Sequence, residues 1–359
     1  MATYSAYFLN AFLLSLVAMP PLMLLAKRVG LLDVPNSRKL HAGSIPVVGG
    51  IAIFFAVGCT FLQMGLSGGP IPSMLPGLAV LVVVGIVDDR QNISAGIKLA
   101  GQTVAALVMI IPGEDVLVSL GNPFGTGPMV LGTAALPLTV FFMVAVINAF
   151  NLIDGIDGLA GSLAVVALSW QAYLAVGVGD MEAALVALVM VFAILGFLVY
   201  NLRHPWRDRA DVFLGDAGSM MLGACVAMLT VRLSQRPSVP EMPLVALCWI
   251  IALPAIDMVS VMVRRMLAGR TPFSADRRHL HHLLVDRGVP LPLAVMMCAG
   301  SATLLGAIGV TAWQMAVPER LMLVGLVMVA ALHSLVVKYG FRGEHLHLGP
   351  FGRFGRRGR

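Results

Sequence analysis

The sequence predicts an all-α protein that crosses a membrane about eleven times. Hydrophobic residues make up 58% of its 359 residues and charged residues only 12%, which is typical of a polytopic membrane protein and not of a water-soluble domain. A helix needs about 20 apolar residues to cross the hydrocarbon core of a bilayer. Apolar stretches of roughly this length occur at about 5–26, 46–66, 71–87, 97–112, 130–147, 160–178, 183–201, 217–233, 243–263, 293–314 and 320–338.

The segments between these spans are short, so residues 1–359 are expected to form one integral-membrane unit. The longest connection, at about 264–292, is rich in Arg and His, and residues 339–359 form a basic tail. No basic residue precedes the first span, whereas Lys27 and Arg28 follow it. This predicts a retained helix with its N-terminus outside, because a cleaved signal peptide is charged before its apolar run. The four cysteines lie in apolar spans without metal-type spacing and are expected to be core residues.

The distribution of basic residues predicts the orientation. When the spans alternate from an outside N-terminus, all but three of the 24 Lys and Arg residues fall on the inner side. The exceptions are Arg232, Arg236 and Arg320. By the positive-inside rule, the C-terminus and the polar connections described below face the cytoplasm. The net charge of +6 suits anionic lipid headgroups, and no extended basic face for nucleic acid is present in the sequence.

Two adjacent aspartates, Asp88 and Asp89, close the third span. Neighbouring like charges at a membrane edge repel each other, and a cation or a shared proton relieves that repulsion. The alternative is a solvated helix end. Lys98, which opens the fourth span, supplies positive charge nearby.

Four polar residues recur every three positions between the fifth and sixth spans: Asn148, Asn151, Asp154 and Asp157. Gly155 and Gly158 indicate that the helix ends among them, which puts the asparagines on the helix and the aspartates on a turn beyond it. Carboxylate and amide groups in this arrangement can bind a magnesium ion or a hydrophilic ligand. A capped turn is the alternative.

The segment from Phe213 to Asp216 opens the eighth span. Asp216 either caps that helix or ligates magnesium beside an anion, since helix N-termini attract negative charge. Phe213 is either an interfacial anchor or a stacking platform.

The connection at about 264–292 contains His279, His281 and His282 among several arginines. Leucines between the histidines predict a short helix that ends near Gly288. Arginines favour a polyphosphate ligand over zinc, although a structural role stays open. Asp257, inside the ninth span, is either functional or the acceptor of a hydrogen bond from a neighbouring helix.

Together with the early loop Asp33–Gly50, these motifs resemble, in order, the cytoplasmic signature set of the polyprenyl-phosphate N-acetylhexosamine-1-phosphate transferases. The resemblance covers nearly the whole chain. It implies transfer of a sugar-1-phosphate from a UDP-sugar to undecaprenyl phosphate, release of UMP, and a requirement for Mg²⁺, with Mn²⁺ as an alternative. It also implies a multi-pass protein of the bacterial inner membrane whose active site faces the cytoplasm.

The resemblance further implies roles for the site residues. Asp216 is implied to be the principal magnesium ligand, and Asp88 and Asp89 to bind or deprotonate the lipid phosphate or to assist the metal. The implied lining of the nucleotide-sugar pocket is Asn148, Asn151, Asp154 and Asp157, with Phe213 near the uracil. The implied contacts to the phosphates are His279 as a catalytic group, His281, His282, Lys39 and Lys98.

The run from Arg264 to His282 resembles the branch of this family that transfers GlcNAc-1-phosphate, whose loop reads Pro-Phe-Ser-x-Asp-Arg before the histidines. Leu280 interrupts the three consecutive histidines that are typical of the peptidoglycan branch, which argues against a pentapeptide-bearing donor. We therefore expect UDP-GlcNAc as donor, in the first step of a cell-surface polysaccharide such as lipopolysaccharide O-antigen. UDP-GalNAc, UDP-QuiNAc, UDP-FucNAc and UDP-MurNAc-pentapeptide stay open as donors. Less favoured alternatives are an intramembrane prenyltransferase and a nucleotide-sugar transporter, which would place its polar groups near mid-membrane. The oligomeric state is left open, with a homodimer as one alternative.

Overall fold

The computed structural model describes residues 2–34, 43–65, 71–113, 115–204, 206–236, 242–271 and 278–340. Lys39 therefore lies outside the described residues. The helices are Ala2–Val29 (α1), Gly49–Met64 (α2), Ile71–Gln91 (α3), Ala95–Gly113 (α4), Ala135–Ile153 (α5), Leu159–Gly177 (α6), Met181–Asn201 (α7), Gly215–Gln235 (α8), Leu244–Ile250 (α9), Ala252–Leu267 (α10), Leu280–Asp286 (α11), Leu291–Gln314 (α12) and Glu319–Gly340 (α13). Two short antiparallel strands, Leu32–Asp33 (β1) and Ile45–Pro46 (β2), precede α2.

The predicted all-α membrane architecture is confirmed, but the number of spans is not. Within the described ranges, eight helices are long and apolar enough to cross a membrane, and the pair α9 and α10 raises the number to nine if it counts as one span. The two expected spans that are not among these helices correspond to α2 and α3. Helix α2 has 16 residues, and the end of α3 carries Asp88, Asp89 and Arg90. Helix α2 is shorter than the roughly 20 residues that span a bilayer.

The expected ninth span, 243–263, is broken where α9 and α10 meet at an angle of 85°. Ile251 separates the two helices, and Pro254 lies in the first turn of α10. Proline lacks the N–H that would continue the hydrogen bonding of α9, whereas the first turn of a new helix tolerates it. Two short helices therefore replace one straight span.

Helix α8 is at the centre of the bundle, and its side chains are almost entirely buried. Glycines let three neighbouring helices approach it closely: a Cβ added at Gly85 of α3 would overlap Ala217, one at Gly50 of α2 would overlap Gly218, and one at Gly223 would approach the backbone of Ile147 in α5. Small residues at helix contacts are a common means of close packing in membranes. This packing brings the end of α3 and the start of α8 together.

The opposite end of α8 lies about 30 Å away, given the rise of an α-helix. There Arg232 pairs with Asp180 at 2.8 Å, and the Gln235 side chain accepts hydrogen bonds from the backbone of Val118 and Ser119. Arg236 and Arg320 line one cavity at this end. The three basic residues assigned to the outer side thus lie at the end of the bundle opposite Asp216.

Candidate active site

Lys98 lies between two carboxylates at the end of the bundle where α3 ends and where α4 and α8 begin. Its Nζ is 2.7 Å from Oδ2 of Asp88 and 2.7 Å from Oδ2 of Asp216. The other oxygen of Asp216 accepts a hydrogen bond of 2.6 Å from Nδ2 of Asn151, which also donates to Ser219. Residues from α3, α4, α5 and α8 therefore converge on one point.

Asp89 caps helix α8 from another helix. Its Oδ1 accepts a hydrogen bond of 2.9 Å from the backbone N–H of Asp216, and its Oδ2 lies 3.5 Å from the N–H of Ala217. Gly215 has a φ of +75°, and a Cβ there would overlap the Asp89 carboxylate. The hypothesis that Asp216 caps α8 is therefore wrong, because Asp89 supplies the cap and the Asp216 carboxylate faces Lys98 and Asn151.

Asp88 is buried, so the alternative of a solvated helix end is also wrong. Its Oδ1 accepts a hydrogen bond of 2.9 Å from the backbone N–H of Ile93. Asn92, with a φ of +50°, forms the tight connection between α3 and α4. This connection brings Asp88 and Lys98 into contact.

The turn between α5 and α6 carries Asp154 and Asp157. Helix α5 ends at Ile153, and Gly158 has a φ of +83° before α6 begins. The predicted helix end with aspartates on a turn is thus present. Asp157 forms an ion pair of 2.6 Å with Arg203, and the N–H of Gly158 donates to Oδ1 of Asn201.

Asn148 does not join this group. Its Nδ2 donates to Oε1 of Gln102 at 2.6 Å and to the backbone of Val144. Gln102 is fully buried in α4. The Asn148 amide therefore links α4 and α5 one turn deeper in the bundle than Asn151.

The backbone of Phe213 is attached to the segment that follows β2. Its N–H donates to the carbonyl of Pro46, and its carbonyl accepts from Gly49 at 3.0 Å. A Cβ at Gly49 would overlap this carbonyl. The early loop of the sequence and the Phe213–Asp216 segment are thus neighbours in space.

The histidines form a second cluster, built around Asp257. Nδ1 of His279 donates to Oδ2 of Asp257 at 2.6 Å, and the backbone N–H of Leu280 donates to its Oδ1 at 3.0 Å. The rings of His281 and His282 pack with centroids 4.2 Å apart. The role of Asp257 left open by the sequence is therefore that of a hydrogen-bond acceptor, and it holds the start of α11.

The short helix predicted around the histidines is confirmed as α11, and Gly288 follows it with a φ of +81°. His279 and His281 are both buried in this cluster. Burial and the neighbouring His282 lower the pKa of His281 to about 3. A neutral His281 adds no positive charge for a phosphate.

The two clusters adjoin at the turn between α5 and α6. Nε2 of His281 lies so close to Gly155 that a Cβ there would overlap the imidazole ring. Gly155 directly follows Asp154. Burial raises the pKa of Asp154 well above its ordinary value, and the charges of Asp216 and Asp89 raise it further.

The oxygen donors of four neighbouring aspartates suit a hard cation. Asp88 and Asp216 contact a single ammonium group, that of Lys98. Asp89 and Asp154 lie near enough to Asp216 for their charges to interact with it, and these four aspartates form the carboxylate cluster. Across the described ranges, no three acidic, His or Cys side chains are spaced to hold a metal by themselves. Mg²⁺ commonly takes only one or two carboxylates and completes its shell with phosphate oxygens and water. The residues present therefore fit a magnesium ion that is held jointly with a phosphorylated substrate.

Sequence reasoning missed four polar residues that contact the predicted polar positions or the turns that carry them: Gln102, Asn201, Arg203 and His333. Asn201 and Arg203 lie at the end of the seventh span, where polar residues follow an apolar stretch, and they contact Gly158 and Asp157. His333 lies inside the last span, and polar residues within apolar spans are commonly functional. The sequence therefore contained a signal for both regions.

Comparison with known proteins gives one family. The pattern of glycosyl transferase family 4 matches residues 71–234. A relative from Escherichia coli (strain K12) is 40% identical over 321 residues, which are 88% of this chain and 86% of the relative. A relative from Yersinia pestis is 37% identical over 95% of this chain and 93% of its own length, and one from Haemophilus influenzae is 37% identical over 93% of each chain. All three are named undecaprenyl-phosphate alpha-N-acetylglucosaminyl 1-phosphate transferase.

Proposed function

Because the chain belongs to glycosyl transferase family 4, we propose that it transfers GlcNAc-1-phosphate from UDP-GlcNAc to undecaprenyl phosphate and releases UMP. The observation that carries this proposal is the contact of Lys98 with both Asp88 and Asp216 at one end of the helix bundle. Together with Asp89 and Asp154, these residues offer the hard donors and the charge that a reaction between two phosphates requires.

In this reaction an oxygen of the lipid phosphate attacks the phosphorus atom that bears the sugar. The bond to the bridging oxygen of the pyrophosphate breaks, and UMP leaves with the electron pair. The nucleophile is already an anion, so a dedicated general base is unnecessary. Catalysis then depends on positioning and on the neutralisation of phosphate charge.

The residues of the carboxylate cluster divide these tasks. Asp216 and Asp88 would hold Mg²⁺, which supplies positive charge to the phosphates when it is bound. Lys98 contacts the same two carboxylates and supplies a second positive charge. Asn151 orients Asp216 through its amide, and Asp89 fixes the start of α8.

The remaining site residues belong to the nucleotide sugar in this proposal. Asp154 and the Asp157–Arg203 pair border the pocket, with Phe213 near the uracil. His279 and His282 are assigned to the phosphates, and Lys39 is a further phosphate contact. We leave Asn148 out of the substrate contacts, because Gln102 engages its amide. The 21-residue α8 separates this site from Arg232 and Arg236, and the excess of basic residues at the site's end supports a cytoplasmic active site in a bacterial inner membrane.

The test is release of UMP by the purified protein in detergent. UDP-GlcNAc, UDP-GalNAc and UDP-MurNAc-pentapeptide are offered at equal concentration, with and without undecaprenyl phosphate and with EDTA as a further arm. We expect UMP only from UDP-GlcNAc, only with the lipid, and none with EDTA. Preference for another donor would overturn the donor assignment. Activity in EDTA would overturn the metal requirement, and release of inorganic pyrophosphate from a prenyl donor would favour a prenyltransferase.

A further inference from the structure

Asp257 is a buried carboxylate whose two oxygens are bound by different parts of the chain. It is 1% exposed and lies within α10. Oδ2 accepts from His279, whereas Oδ1 accepts from the backbone N–H of Leu280. Oδ1 is also 3.3 Å from Nε2 of His333. A carboxylate removed from water must be compensated by such partners, and the loss of one is costly.

His333 comes from α13, the last helix of the described residues, and most of the surface of α13 faces away from the protein. Its neighbours Leu332 and Leu335 are exposed, but the His333 side chain is only 8% exposed. Its Nδ1 and Nε2 are both buried, and neither makes a hydrogen bond of regular geometry among the described residues, although Nε2 lies 3.3 Å from Oδ1 of Asp257. An imidazole in an apolar span is costly unless it is paired, and such residues are often functional. Asp257 is the charged group within its reach.

We infer that His333 is a positioning residue for the histidine cluster. Through Asp257 it fixes the ring of His279 and the first amide of α11, and so it sets the place of the cluster beside the turn that carries Asp154. This inference rests on the proposed function, which assigns the phosphates of the donor to that region. His333 itself contacts neither the carboxylate cluster nor a reacting group within the described structure.

The path from His333 to the site runs through short contacts. Asp257 holds both the side chain and the backbone at the start of α11. Helix α11 carries His281, which packs directly against Gly155. Because there is no room for even a methyl group between them, a displaced α11 shifts the turn of Asp154 as well. Close packing transmits such displacements.

Helix α13 also contacts α10 and α11 at points that do not involve Asp257. Ser334 donates to Ser260 of α10 at 3.1 Å, and Arg287 donates to the carbonyl of Gly340. These contacts hold α13 against the bundle when His333 is replaced. They therefore provide a matched control, since Ser334→Ala removes a polar contact of α13 and leaves the Asp257 partners in place.

The experiment compares His333→Leu, His333→Gln and Ser334→Ala with the wild type. Glutamine can still donate to Asp257, whereas leucine cannot. For UMP release from UDP-GlcNAc with undecaprenyl phosphate, we expect His333→Leu to lower kcat/KM by about tenfold to a hundredfold, as misplacement of site groups does. We expect His333→Gln to restore most of that loss, and Ser334→Ala to stay within about twofold of the wild type.

Hydrogen–deuterium exchange of the peptide that spans α11 provides a readout without activity. We expect faster exchange of this peptide in His333→Leu and wild-type exchange in His333→Gln and Ser334→Ala, with unchanged exchange in α8. Equal exchange in all four proteins, or equal loss of activity in His333→Gln and His333→Leu, would overturn the inference. If the wild type released no UMP from any UDP-sugar, the proposed function would fail, while the exchange data would still decide whether His333 positions α11. Loss of exchange protection throughout His333→Leu would indicate a global role and would also contradict the inference.

Discussion

The carboxylate cluster and the histidine cluster have inverse compositions. In the first, two aspartates contact one ammonium group, that of Lys98, and Asp89 lies beside them at the start of α8. In the second, several imidazoles lie around one carboxylate, that of Asp257. The first is partly open, with 32% of the Asp216 side chain exposed, whereas the His279 side chain in the second is 4% exposed.

This difference indicates that the two clusters have different roles. The carboxylate cluster offers more carboxyl groups than Lys98 alone can neutralise, so a further cation can bind there. The histidine cluster is closed, and its carboxylate already has partners from α11 and α13. We therefore expect substitutions in the first cluster to lower activity with little effect on stability, and substitutions in the second to lower both.

The largest expected effect is that of Asp216→Asn. An amide is a poor replacement for anionic oxygen on a hard cation. We expect turnover to fall about 1,000-fold, which corresponds to roughly 4 kcal/mol of transition-state stabilisation, with an unchanged melting temperature. UMP release and thermal unfolding in detergent measure the two quantities. The exposed Asp208 provides the matched control, Asp208→Asn, which should behave as the wild type. Near-normal turnover in Asp216→Asn would contradict the expected difference in role between the two clusters.

Replacement of Lys98 by Met should have the next largest effect. It leaves Asp88 and Asp216 facing each other without their shared ammonium group. We expect kcat to fall about a hundredfold, in the range found when one charge-stabilising group is removed. A magnesium titration of UMP release should show that added metal restores part of the loss. If Lys98→Met kept full activity at every magnesium concentration, Lys98 would be a structural residue only.

His279→Ala tests the second cluster. It removes a partner of buried Asp257, and breaking such a pair typically costs about 3–5 kcal/mol. We expect a lower melting temperature together with impaired transfer, and no rescue by zinc. His204→Ala, at an exposed histidine, is the control. If His279→Ala lost activity but kept full stability, His279 would respond to substitution as the carboxylate cluster is expected to. A stoichiometric zinc ion bound by the histidines would contradict the anion-binding assignment.

The smallest effect is expected for Asn148→Ala. Its amide pairs with buried Gln102 between α4 and α5, and a lost hydrogen bond of this kind costs about 1 kcal/mol. We expect a small decrease in melting temperature and activity within about twofold of the wild type. A large loss of activity without a change in stability would return Asn148 to the substrate contacts.

The helical architecture was predictable because apolar length and basic asymmetry are properties of the linear sequence. The alternation of the spans predicted that Asp88, Asn151 and Asp216 lie at the same end of the bundle. The break at Ile251 was not predicted, because a long apolar stretch containing Pro254 fits either a bent or a straight span. Which aspartate caps α8 could not be read from local spacing, since Asp89 lies 127 positions before Asp216.

The partners of Asp257 were also beyond the sequence. A single acid in an apolar span predicts a polar partner but does not say which one. His279 lies 22 positions from Asp257 along the chain, and His333 is on another helix. Neither distance along the chain corresponds to neighbouring positions on one helix or strand. Packing of three separate elements decides these contacts.

The cap that Asp89 places on α8 has a consequence for biogenesis. The first turn of the helix that carries Asp216 takes its capping acceptor from α3, which leaves the ribosome much earlier. Packing of α8 against α3 therefore completes the cap and the reaction centre together. A partly synthesised chain that has inserted only its first seven helices contains Asp88, Asp89 and Lys98 but lacks Asp216, so it cannot consume nucleotide sugar before the central helix is in place.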